Sequence, residues 1–104
     1  MSVQWLYRIV PVRPGMVDTI TPDEQSAVAA HFGYLVDLRN RGVLILAGRT
    51  QEADPFGIVI FEADDEDAAR GIAEADPAVA AGVFAMTLHP YAVAVARPGF
   101  DLPG

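Results

Sequence analysis

At 104 residues, with 52% hydrophobic and 20% charged residues, the chain is long enough for one domain with its own core and too apolar to remain disordered. Fourteen acidic residues against seven arginines give a formal charge of −7, and the arginines are scattered, so a phosphate polymer would be repelled and no nucleic-acid partner is expected. Cysteine is absent, which removes disulfides, thiolate nucleophiles and thiolate metal sites together.

The stretch from Val3 to Val10 carries Val, Trp, Leu, Tyr and Ile around Gln4 and Arg8 and stops at Pro11, the pattern of a strand. Thr21-Pro22-Asp23-Glu24 offers a hydroxyl cap, a proline at the first helical position and acids in the first turn. Ala27, Val28, Ala30, Tyr34, Leu35 and Leu38 then recur at steps of three and four, and Gly42 follows Arg39 and Arg41, so a long amphipathic helix is predicted. Val43 to Ala47 reads as a second strand ending at Gly48, and Ile58 to Phe61 as a third, joined through the polar stretch 49–55 as a hairpin. Asp64 to Asp67 opens a second helix by opposing the positive end of its dipole, with Ala68, Ala69, Ile72 and Ala73 as its inner face, and Asp76-Pro77 ends it. Beyond a short turn at 78–82, Val83 to Val95 is mostly apolar and extended with a bend at Pro90. Residues 97–104 look like an arm, which leaves one domain over 1–96 and a C-terminal tail over 97–104.

The order β-α-β-β-α-β is that of the α+β ferredoxin-like split, an antiparallel sheet with two helices on one face. A solvated second face would require apolar-polar alternation, yet the second and third strands are apolar at every inner position. A second copy of the chain is the simplest cover, so a homodimer through the sheet face is expected. The longest apolar-rich stretch, 78–88, falls short of the roughly 18 residues needed to span a bilayer, and the N-terminus lacks a basic region followed by a long apolar run. No membrane association and a cytoplasmic location are therefore expected.

His31 continues the stripe of the long helix and should point inward. It reads either as a buried histidine with satisfied ring nitrogens or as a general base whose tautomer a carboxylate fixes. Asp76, before Pro77, is good capping chemistry for a helical turn; in this topology it also falls at the helix end lying alongside the first half of the first helix, within side-chain reach of His31. Arg49 follows Gly48, where a bare backbone lets a ligand approach and a guanidinium can hold a carboxylate or phenolate; its plainer reading is an exposed turn residue. Arg8 is a second anion-binding candidate or the partner of an acid across the sheet, and Tyr34, on the same stripe as His31, is a third substrate-binding candidate. The four acids at 64–67 are explained by a helix start, and neither His89 nor His31 has metal-ligand spacing, so no metal and no cofactor are expected.

Ala75-Asp76-Pro77-Ala78-Val79-Ala80-Ala81-Gly82-Val83-Phe84 resembles the D-P-x-x-x-A-G-[VL] segment of the YciI-like (YCII-related) family, and Leu88-His89-Pro90-Tyr91 resembles the end of its last strand. His31 with Leu35 and Leu38, and Gly42-Val43-Leu44 leading to Ala47-Gly48, are similar to it as well. The resemblance covers the chain from the first strand to about Tyr91 and implies a dimeric α+β barrel. It also implies a His-Asp active-site dyad, which falls on His31 and Asp76, while Arg49 stands where many relatives carry proline. A few relatives resemble dehydrochlorinases or muconolactone-type isomerases acting on small aromatic-derived acids, so the resemblance implies proton-transfer chemistry without naming a substrate. A lyase or isomerase moving a proton on a small anionic substrate is thus the leading expectation, and a non-catalytic metabolite-binding or regulatory dimer is the alternative.

Overall fold

In the computed structural model, which describes residues 3–99, strict alternation shapes the first strand, β1 (Val3–Pro11). Trp5, Tyr7 and Ile9 point to one face and are buried, while Arg8 points to the other and is exposed. Of the tail expected over 97–104, residues 100–104 lie outside the described residues.

The helix start at Thr21 forms a complete capping box. The Thr21 hydroxyl accepts from the Glu24 amide, the Glu24 carboxylate accepts from the Thr21 amide, and Pro22 opens α1 (Pro22–Asn40). Gly42, at φ 74°, turns the chain out of this helix. Arg13 fastens the preceding loop to α1 by donating to both Glu24 carboxylate oxygens, at 3.0 and 2.6 Å, and to Thr19 Oγ1 at 2.7 Å.

Strand β2 (Leu44–Arg49) and strand β3 (Gly57–Ala63) pair antiparallel, with a bulge that leaves Ile45 as the extra residue. Because β2 continues two residues past Ala47, Arg49 is a strand residue opposite Gly57 rather than part of the turn expected there. Helix α2 (Glu66–Glu74) takes Asp65 as its cap, the carboxylate accepting from the Ala68 amide at 2.8 Å. The expected turn at 78–82 is a one-turn helix, α3 (Pro77–Ala80), and the extended run after it keeps regular pairing only through β4 (Phe84–Pro90). Proline ends β4 because it cannot continue a ladder on its donor side.

The four strands lie in the order β2-β3-β1-β4, all neighbours antiparallel, which is the ferredoxin-like arrangement. The core sits on the helix side, where Tyr7 packs edge-on to Phe61 at 5.7 Å over Val59, Ala69 and Ala73. The opposite face carries Leu6, Val10, Leu46, Ile58 and Ile60, interrupted at its middle by Arg8, which lies between Ile58 and Thr87, and flanked on β4 by Thr87 and His89. Among the described residues no helix is long and apolar enough to cross a membrane.

Candidate functional site

Helix α1, expected to be amphipathic, segregates its apolar residues only weakly to one face, and Leu38 is its one fully buried side chain among the described residues. A cavity explains the shallow burial. About 470 Å³ of open space lies between the first half of α1 and the sheet, lined by Val28, His31, Phe32 and Leu35 from the helix and by Ile9, Ala47, Arg49 and Val59 from the strands. The size falls within the range of small-molecule sites. Gly57 helps keep it open, since a Cβ there would stand 3.0 Å from Ile9 Cγ1.

At one wall His31 meets Asp76. The chain breaks between α2 and α3 at Asp76, and Pro77 at the first position of α3 aims the carboxyl into the interior. Its two oxygens then do separate things. Oδ1 accepts from the Ala78 amide at 3.0 Å and caps α3, while Oδ2 accepts the Tyr7 hydroxyl at 2.8 Å and lies 2.6 Å from His31 Nδ1. Capping and pairing, weighed as alternatives from the sequence, therefore coexist. Asp76 is fully buried, and a buried carboxylate is tolerable only where its lone pairs are met by donors.

The network assigns the tautomer. Tyr7 is a donor because burial first, and then the charge of Asp76 and its hydrogen bond, push the phenol far above its ordinary value of 10.0. With Tyr7 and Ala78 both donating, Asp76 is an acceptor, and His31 places its proton on Nδ1. The other ring nitrogen, Nε2, has no hydrogen-bond partner among the described residues. The ring is wedged edge-on against Phe84, 5.5 Å between centroids and 83° between planes, and its side chain is 13% exposed. In its neutral form an imidazole held this way presents the Nε2 lone pair to whatever occupies the cavity.

Of the other residues singled out in the sequence, Arg49 reaches the cavity and makes no ion pair among the described residues. Arg8 does not share the cavity. Its place in the alternation sends it to the opposite face of the sheet, where its guanidinium lies 4.6 Å from the centre of the Phe56 ring. Tyr34 does not line the cavity either, because its hydroxyl donates to the Ile72 carbonyl at 2.7 Å and ties α1 to α2. Tyr7 is the residue that sequence reasoning passed over, since its alternation marks it as core and its partner stands 69 positions away. The available signal was a phenol among otherwise apolar inward positions, which needs a polar partner when buried. Among the described residues no group of three or more histidines and carboxylates is placed to hold a metal.

Comparison with known proteins agrees with this architecture. The profile of the YCII-related domain matches residues 7–88. No curated protein matches the chain significantly. Among solved structures it is similar to 5-chloro-2-hydroxyhydroquinone dehydrochlorinase from Burkholderia phenoliruptrix AC1100, in complex with 2,5-dihydroxybenzoquinone. That likeness has a TM-score of 0.62 and 23% identity and covers 84% of this chain and 92% of that one. It is also similar to a mutant of SnoaB, a cofactor-independent oxygenase from Streptomyces nogalater, with a TM-score of 0.50 and 14% identity over 93% of this chain and 97% of that one. At these identities the likeness establishes the fold.

Proposed function

The chain belongs to the family of the YCII-related domain, and from that premise we propose that it is a cytoplasmic small-molecule enzyme of lyase or isomerase type. His31 Nε2 takes a proton from a carbon or hydroxyl of the substrate and returns it to another position or passes it to a leaving group. Asp76 keeps the imidazole in the Nδ1–H tautomer and stabilises the imidazolium as it forms, and Arg49 holds an anionic group of the substrate at the far wall.

The observation that carries this reading is the fully buried Asp76 bound to His31 Nδ1 at 2.6 Å, with the ring at the cavity wall and Nε2 unpartnered. A carboxylate that only capped α3 would need neither Tyr7 nor His31. The dehydrochlorinase of similar fold lends the chemistry plausibility, because loss of chloride from a hydroquinone requires proton movement on a ring. The protein works as a homodimer, its second copy covering Leu6, Val10, Leu46 and Ile58 on the open sheet face.

The test is a turnover screen of chlorinated hydroquinones and muconolactones with the native protein and with His31→Ala. Turnover that disappears in a folded His31→Ala protein supports the proposal. Binding without turnover in the native protein would favour a metabolite-binding or regulatory dimer instead.

A further inference from the structure

The cavity is larger than a one-ring substrate needs. An apolar cavity of about 150 Å³ accepts a single benzene ring, and the space beneath α1 is about 470 Å³, roughly three times that. Its walls are mostly apolar, so a small, highly polar ligand would leave much of the surface to water or to void. The apolar surface also continues outward, since Phe32 is 69% exposed and Val17 48% exposed, and both line the cavity. Its entrance thus offers a flat aromatic face and a branched aliphatic one to a planar guest.

We propose that the ligand of this cavity is a fused aromatic hydroxy acid of two or three rings. Its carboxylate lies against Arg49, its rings lie between Val28 and Leu35 of α1 and Ile9 and Val59 of the sheet, and its acidic hydroxyl or ring carbon meets His31 Nε2. Arg49 is suited to the carboxylate because it makes no ion pair of its own among the described residues. Phe32 covers the outermost ring. This assignment rests on the cavity assigned under the proposed function, and binding can test it apart from turnover.

The experiment is calorimetric titration of the full chain with 2-hydroxybenzoate, 3-hydroxy-2-naphthoate and 3-hydroxyanthracene-2-carboxylate, repeated in Arg49→Gln, Val28→Phe and His31→Ala. Each added ring should tighten binding about tenfold. Arg49→Gln should weaken the two larger acids by similar factors and leave neutral 2-naphthol unaffected. Val28→Phe, which fills the cavity from the helix side, should weaken the three-ring acid more than the one-ring acid. A ring series that holds in His31→Ala, with no turnover anywhere, keeps this inference and removes the catalytic one. Affinity that is flat or falls with ring number overturns the inference, as does equal damage by Val28→Phe across the series.

Discussion

Replacing Tyr7 by Phe removes one oxygen from a residue that is otherwise fully packed, so its effect isolates a single hydrogen bond to Asp76 Oδ2. Hydrogen bonds to a charged partner contribute about 1.5–3 kcal/mol. Asp76 keeps two donors in the variant, Ala78 and His31, so the carboxylate is not orphaned and the lower end, about 1.5 kcal/mol, applies. For a domain of this size each kcal/mol shifts Tm by about 4–8 °C, and the expected loss is therefore about 6–12 °C. Thermal unfolding followed by circular dichroism, with urea denaturation to check that the m-value is unchanged, measures it. Phe is the less polar ring, so if the hydroxyl made no useful bond to a buried carboxylate the variant would be as stable as the native protein or more so. That result would refute the network on which the assignment of His31 rests.

Other outcomes follow from the same geometry. The Arg13 hydrogen bond first, and then the Thr21 amide, hold Glu24 at about 2, below its ordinary 4.5. Its contribution to stability is therefore full above the unfolded value and is lost as pH falls through the folded one. Urea titrations should show the stability gap between native protein and Glu24→Gln closing from pH 4.5 toward 2, and a gap independent of pH would contradict this. Gly57→Ala places a Cβ 3.0 Å from Ile9 Cγ1 and 3.4 Å from the Gly48 carbonyl. Ile9 lines the cavity, so a loss of about 1 kcal/mol with weakened ligand binding is expected, and an unchanged Tm would mean that the contact is slack. Sedimentation at micromolar concentration should give a dimer that Ile58→Glu dissociates, and a native monomer would contradict the proposed cover of the sheet.

Local chemistry was legible in the sequence wherever the cause was local. The cap at Thr21-Pro22-Asp23-Glu24, the acids ahead of α2 and the break at Asp76-Pro77 each depend on neighbours within a few residues, and each stands where the pattern put it. Strand ends were less legible. Arg49 belongs to β2 because Gly57 pairs with it from β3, and the run expected to stay extended to Val95 ends its regular pairing at Pro90, which has no amide to donate, although the Tyr91 amide still reaches the Gln4 carbonyl at 3.2 Å. The second helix was expected to meet the first at its end, and the short α3 with its Asp76 cap makes that contact. Period-two alternation already separates Arg8 from Tyr7, so the face of Arg8 could have been read from its neighbours. Tyr34 looked like a site residue because it shares a stripe with His31, and its Ile72 partner is a backbone carbonyl invisible to any pattern of side chains. The role of Tyr7 depends on a contact across 69 positions.

The central claim is that Asp76 holds His31 with its proton on Nδ1 and Nε2 free, and nitrogen-15 NMR of the His31 ring reads this directly. The native protein should show a protonated Nδ1 and an unprotonated, cavity-facing Nε2 at neutral pH. Asp76→Asn, whose amide can donate to Nδ1, should move the proton to Nε2. A native ring already protonated at Nε2, with a spectrum unchanged in Asp76→Asn, would contradict the account.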